Sequence, residues 1–405
     1  MKKYYLKNLS GKQLDSLLKR PAIDFDSVFE KTKKIIVDVK KRRDEALKSY
    51  TKDFDKVVLD KFSVSEKEID QAEQKIPNEV KKAFKTAAKN IFIFHSASVS
   101  KNDCRIVETT SGIYCFSKFI PVDKVGIYVP GGSAVLPSTV LMLGIPAKIA
   151  GCKEIVMCTP PQKNGTISDI VLYAAKLAGV TKIFKIGGAQ AIAAMAYGTE
   201  TVLKVYKIFG PGNQYVTAAK MLLSLDPDGV AIDFPAGPSE VLVIADEFAN
   251  EVFVASDLLS QAEHGPDSQV VLVCTDEDKA EKIMAEVDKQ LKDLPRKKVA
   301  AESLKKSFCL IIDEGDTNER LIKSLEFSNK YAPEHLILNT INSDFLVSKV
   351  RNAGSVFVGQ YSCESAGDYA SGPNHTLPTY GYARVYGGVS VDSFMKKITF
   401  QKVEK

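Results

Sequence analysis

The chain has 405 residues, 45% of them hydrophobic and 26% charged, with 25 glycines and 17 prolines, which is a globular composition rather than a disordered, collagenous or low-complexity one. Its 55 basic and 50 acidic side chains leave a net charge of +5, too small and too interleaved for a nucleic-acid-binding surface. A chain this long buries roughly 75% of the surface it exposes when unfolded, so it needs neither disulfide nor metal to fold, and any metal would serve function.

The opening Met1-Lys2-Lys3-Tyr4-Tyr5 carries charge with no apolar run after it, so no secretory signal is expected. The one long uncharged stretch, Val125 to Ala147, is interrupted by Pro130, Gly131, Gly132, Pro137, Gly144 and Pro146, which excludes it as a membrane span. The seven cysteines never form Cys-x-x-Cys, so a reduced, cytoplasmic protein is expected.

The first hundred residues read as helices. Val28, Ile35, Ile36, Val39, Ala46, Leu47 and Tyr50 follow a 3.6-residue period. Ser27-x-x-Glu30 and Ser65-x-x-Glu68 have the form of capping boxes, and a further helix follows Pro77 with Val80, Phe84, Ala87 and Ile91 inward. No chemistry is visible in this region, and His95 reads as a packed structural histidine.

From Val125 onward, short apolar strands alternate with amphipathic helices. Strands are predicted at Val125–Val129, Glu154–Cys158, Lys182–Ile186, Lys207–Phe209 and Val230–Ile232. A second series covers Val241–Ala245, Val270–Cys274, Cys309–Ile312, Leu336–Leu338 and Ser355–Val358. The fold class is therefore α/β: two similar Rossmann-like units with parallel sheets flanked by helices, plus an N-terminal helical region. Ligands are expected at the carboxyl ends of the strands.

Four junctions are glycine-rich: Pro130-Gly131-Gly132-Ser133, Gly187-Gly188-Ala189-Gln190, Gly210-Pro211-Gly212-Asn213 and Pro235-Ala236-Gly237-Pro238-Ser239. Three of them open into helices, where free N–H groups suit a phosphate. None matches Gly-x-Gly-x-x-Gly with a downstream acid, so a dinucleotide site and a set of tight turns are both consistent with them.

The second half carries a polar cluster. Gln261 and His264 share a helix face at i, i+3 spacing, and Gly265 and Pro266 follow at once. The pair could ligate a divalent metal, but glutamine is an uncommon zinc ligand, and spacing alone favours a helix end where histidine meets the dipole. Glu334 and His335, after Pro333, suit an acid–base pair if the chain bends there, and a solvated strand entrance if it does not. The segment from Cys363 to His375 is too polar for a core element, with Asp368 and His375 as candidate ligands or orienting groups.

Seven segments together resemble the L-histidinol dehydrogenase family: Gly126-Ile-Tyr-Val-Pro-Gly-Gly132, Ile186-Gly-Gly-Ala-Gln190, Phe209-Gly-Pro-Gly-Asn213, Pro235-Ala-Gly-Pro-Ser-Glu240, the run from Asp257 to Ser268, Ala332-Pro-Glu-His335 and the run from Glu364 to Gly372. The resemblance extends in order from about Phe25 to Gln401. It implies oxidation of L-histidinol to L-histidine through a bound aldehyde, with two NAD molecules used in succession and one zinc per subunit. It implies Gln261, His264 and Asp368 as zinc ligands. Ser239, Gln261, His264, His335 and Asp368 would surround the substrate, Tyr128, Gln190 and Asn213 would bind NAD, and Glu334 and His335 would form the catalytic pair.

The domains expected on this basis are an arm at 1–24, a substrate and zinc domain from 25–124 with 239–380, an NAD domain at 125–238, and a shortened C-terminal segment at 381–405. A homodimer is implied, with no nucleic acid and no membrane as partner. The family's helical tail, which supplies a histidine and a glutamate to the neighbouring subunit's site, has no counterpart in the sequence up to Lys405. Dehydrogenation of another amino alcohol or polar diol, or a degenerate nucleotide-binding role, are the competing readings.

Overall fold

The computed structural model describes residues 1–20, 25–99, 105–131 and 136–404; Gly132, Ser133 and Lys405, named above, lie outside them. The strands among the described residues, in chain order, are β1 (Lys2–Tyr5), β2 (Val107–Thr110), β3 (Ile113–Pro121), β4 (Lys124–Tyr128), β5 (Glu154–Thr159), β6 (Lys182–Lys185), β7 (Lys207–Phe209), β8 (Ala231–Ile232), β9 (Glu240–Ala245), β10 (Gln269–Cys274), β11 (Phe308–Ile311), β12 (His335–Asn339), β13 (Ser355–Val358) and β14 (Met395–Val403). The predicted strands match these in place, because continuous Val/Ile/Leu runs are buried on both faces of parallel sheets.

Two compact units result. The first comprises Met1–Ile23, Phe234–Asp368 and Leu377–Gly388, and the second Asp24–Asp233, Tyr369–Thr376 and Val389–Lys405. The first unit is built on a six-stranded parallel sheet in the order β1-β11-β10-β9-β12-β13. Every residue of β9, β10 and β12 is buried. The second unit holds a five-stranded parallel sheet, β6-β5-β4-β7-β8, and a three-stranded antiparallel one, β14-β3-β2. From β4 and from β9 alike, the chain adds two strands outward on one side and then crosses to the other. Each parallel sheet therefore has a topological switch point, between β4 and β7 and between β9 and β12.

This division differs from the expected one in three places. Residues 25–99 and 105–124 belong with the second unit rather than with 239–380, because helix Phe25–Arg42 and Leu47 bury Ile36, Val39 and Leu47 against Ile192, Val216 and Leu223. Each such side chain contributes roughly 2 kcal/mol when fully buried. The first residues are not a loose arm, since β1 extends the first unit's sheet beside β11. The stretch 381–405 is shared between units, as β14 pairs along its whole length with β3.

Local signals behaved unevenly. The Ser65–Glu68 capping box forms, whereas Ser27 lies inside helix Phe25–Arg42 rather than ahead of its first turn. That helix and the next, Asp44–Tyr50, are separated at Arg43, whose φ is 50°. His95 is 1% exposed on helix Asn78–Ala97 with neither ring nitrogen hydrogen-bonded, and burial lowers its pKa to about 4. It is the packed histidine expected.

Candidate active site

In the first unit the singled-out residues collect at the amino ends of the strands, not at the carboxyl ends where the sequence pattern placed ligands. Ser239 immediately precedes β9, and His335 opens β12 with Glu334 just before it. The two strands are neighbours, His335 lying in register with Val241. Helix Glu251–Ala262 leaves the carboxyl end of β9 and leads back to the start of β10, so its last turn brings Gln261 and His264 to the amino edge.

His264, Glu364 and Asp368 each place a ligand atom within 4.8 Å of the others. The His264 ring contacts the Ser260 carbonyl through Nδ1 at 2.9 Å; an Nδ1–H donor there leaves the Nε2 lone pair for a cation. Gln261 and Glu364 are both 0% exposed, and neither the Gln261 amide nor the Glu364 carboxyl has a hydrogen-bond partner. Burial, with the charges of Asp368 and Asp257 beside it, pushes the Glu364 pKa well above the carboxylate range. Asp257, one helical turn before Gln261 and hydrogen-bonded by the Glu364 main-chain N–H, is pushed up by burial to about 7.

Buried polar atoms left unsatisfied cost on the order of 1–3 kcal/mol each. A divalent cation answers such a set with amide oxygen, imidazole nitrogen and carboxylate oxygens as donors, so these residues fit zinc. Glu364 was missed as a donor candidate although it lies inside a segment singled out as too polar for a core.

The Glu334–His335 bend is real. Ala332 has φ 55°, the left-handed conformation that turns the chain before Pro333, and His335 Nδ1 comes to 3.6 Å from Glu334 Oε2. Both residues are buried. The Glu240 main chain meets both: its N–H donates to Glu334 Oε2 at 2.9 Å, and its carbonyl lies 3.2 Å from His335 Nδ1. Burial, then the neighbouring carboxylates of Glu240, Glu364 and Asp368, drive the Glu334 pKa well above its ordinary value. A carboxyl so placed holds a proton more tightly than a solvated carboxylate does, as suits an acid–base group. Ser239 is half-buried, and its carbonyl accepts from the Gln269 N–H.

The second unit gathers its own set at the carboxyl edge. Tyr128 closes β4, Gln190 lies in the first turn of helix Gly188–Tyr197 after β6, and Asn213 caps helix Gln214–Ser224 after β7. Tyr128 thus ends one of the two strands that flank the switch point, and Asn213 lies in the loop that follows the other. The Tyr128 hydroxyl accepts from the Gly188 N–H at 3.0 Å, and Asn213 Oδ1 accepts from Tyr215 and Val216 at 3.0 and 3.2 Å. The helix-start N–H groups read as a phosphate cradle are therefore partly engaged by these side chains.

Gln190 is 1% exposed with Oε1 lacking a partner. Gly210 has φ 123°, and a Cβ there would lie 2.2 Å from the Tyr128 carbonyl, so only glycine lets this loop close against β4. Buried Lys220 and Asp233 pair with each other and hold the Gly210 carbonyl and N–H at 3.0 and 2.9 Å. His375 also lies in this unit, where its Nε2 meets Thr139 Oγ1 at 3.3 Å.

The histidinol dehydrogenase family model matches residues 18–405. A histidinol dehydrogenase from Bacteroides thetaiotaomicron is 56% identical over 98% of this chain and 91% of its own length. A chloroplastic histidinol dehydrogenase from Arabidopsis thaliana is 54% identical over 100% of this chain and 84% of its own. The crystal structure of histidinol dehydrogenase from Elizabethkingia anophelis superposes with a TM-score of 0.92 at 51% identity, covering 100% of this chain and 90% of that one. The chain belongs to the histidinol dehydrogenase family, whose members oxidise histidinol to histidine.

Proposed function

We propose that this enzyme carries histidinol to histidine in two successive NAD-linked oxidations at the amino edge of the first unit's sheet. Gln261, His264 and Asp368 hold zinc, and Tyr128, Gln190 and Asn213 hold NAD, the hydride acceptor. When bound, zinc supplies a redox-inert positive charge that fixes the substrate's nitrogen groups. The observation that carries the reading is the Gln261 amide, wholly buried and unanswered one turn before His264.

His335 directs Nδ1 at the Glu240 carbonyl, so Nε2 takes the hydroxyl proton as hydride leaves the carbinol carbon, giving the aldehyde. Glu334, fixed by the Glu240 N–H and given high proton affinity by burial, takes a proton from the water that adds to that aldehyde. The hydrate anion left by that proton transfer then passes the second hydride to NAD and becomes the carboxylic acid. Ser239 offers its hydroxyl to the substrate. A homodimeric, cytoplasmic enzyme is the state that the family resemblance supports, and light scattering at twice the chain mass checks the assembly.

The primary test counts NADH formed per L-histidinol consumed. Two is expected; one, with free aldehyde accumulating, defeats the single-site scheme. Glu334→Gln should depress oxidation of the aldehyde more than oxidation of the alcohol, and an equal loss in both halves removes its water-activating role.

A further inference from the structure

The turn that presents Glu334 and His335 is held by a residue outside every motif. Helix Thr317–Tyr331 ends at Ala332, a residue with a Cβ in the left-handed region, where such residues stay only when their surroundings impose it. Arg20 supplies that constraint. Its Nη1 donates to the Tyr331 carbonyl at 2.7 Å and its Nη2 to the Ala332 carbonyl at 3.2 Å, and the guanidinium lies 3.5 Å from the centroid of the Tyr331 ring. Nη1 also reaches the Leu18 carbonyl at 3.2 Å.

The other edge of the same fork grips Glu240. Nε donates to Oε2 at 2.7 Å and Nη2 to Oε1 at 2.9 Å. The Arg20 and Glu240 side chains are 5% and 1% exposed. The Tyr380 N–H donates to Oε1 at 3.1 Å, and the Tyr331 hydroxyl to Oε2 at 3.4 Å. Glu240 in turn is the residue whose main-chain N–H and carbonyl meet Glu334 and His335. One guanidinium therefore joins the turn before the acid–base pair to the peptide groups that orient it.

We propose that Arg20 and Glu240 are positioning residues for Glu334 and His335, setting the direction of the Glu334 carboxyl and the tautomer of the His335 ring. The inference rests on reading Glu334 and His335 as the acid–base pair. Stability alone is a weak reason to bury such an ion pair, because apolar side chains of similar volume commonly serve as well. Lysine cannot reproduce the planar fork.

The test uses the full-length, zinc-loaded enzyme. Arg20→Lys should lower kcat at least tenfold for both histidinol and histidinal oxidation, with KM for NAD within twofold of the parent and zinc stoichiometry unchanged. The double variant Arg20→Met with Glu240→Leu removes both charges together; it should melt close to the parent yet show at least the same loss of kcat.

A second readout does not depend on turnover. With four histidines in the chain, ring-nitrogen NMR with His335→Asn for assignment resolves the His335 tautomer. The parent should show a fixed Nδ1–H form, and both variants a mixture. Unchanged ring signals in the folded variants overturn the proposal, whether kcat stays within twofold or falls together with melting temperature and zinc content. Glu334→Gln and His335→Asn run in parallel separate the two levels: turnover surviving in these removes the acid–base reading and the proposal with it. Turnover lost in them but kept in Arg20→Lys removes the positioning role alone.

Discussion

The two parallel sheets are built to the same order, yet they use opposite edges. In the second unit Tyr128, Gln190 and Asn213 stand at the carboxyl edge, among glycines that bring backbone close to backbone. In the first, Ser239, Glu334 and His335 stand at the amino edge, joined by Gln261 and His264 at the end of a returning helix. The difference suits the roles proposed for the two sets. A nucleotide is held by main-chain groups and helix starts, which parallel sheets present at their carboxyl edge. A cation and a proton-transfer pair need side-chain donors kept dry, and these can be assembled wherever buried polar groups are left unanswered.

The sharpest way to break that contrast is His264→Ala. Zinc retained by the parent should fall below stoichiometry, and histidinol turnover by about a thousandfold or more, since a ligand loss exceeds the 10–100-fold typical of outer-shell partners. NADH binding, followed by fluorescence, should be untouched; stoichiometric zinc in this variant removes His264 from the ligand set.

Gly210→Ala reverses the pattern. The clash with the Tyr128 carbonyl and the positive φ should cost about 3 kcal/mol or more in urea unfolding and raise KM for NAD, with zinc content unchanged. An alanine variant as stable as the parent contradicts the close approach described.

The third test is pH. His95 is held neutral by burial, its pKa lowered to about 4 from the unfolded 6.5. Between those values the unfolded chain binds the extra proton, so this contribution is complete above pH 6.5 and is lost as pH falls toward 4, on the order of 3 kcal/mol in all. Amide exchange in helix Asn78–Ala97 should quicken over that window, and His95→Phe should flatten the dependence. The smallest effect is Asn213→Ala, which removes a helix cap worth about 1 kcal/mol. It should shift stability by that amount and weaken NAD binding, and an unchanged KM would confine Asn213 to capping.

Much of this was legible before any coordinates, because parallel strands announce themselves as unbroken apolar runs and βαβ spacing fixes their order of appearance. The i, i+3 pair Gln261 and His264 was also visible. What the pattern does not encode is the side of the sheet on which a given polar group matters. Helices 25–97 read correctly as helices, but an apolar stripe does not name its partner, and they joined the second unit through Ile192 and Leu223. Strand β14 escaped notice because all but its first residue is exposed, its Phe400 stacking on Phe116 across the antiparallel pair. Arg20 escaped because a lone arginine in an arm carries no periodicity at all; its meaning arises only once Glu240 and Ala332 arrive beside it.

The dry amide of Gln261 and the dry carboxyl of Glu364 have a consequence for the whole molecule. Buried with no hydrogen-bond partner, these groups are costly to the fold, and any ligand that satisfies them stabilises the native state by mass action. With zinc as the ligand proposed above, thermal resistance becomes a gauge of metal supply: a chelator should lower the melting temperature of the enzyme and restored zinc should raise it again.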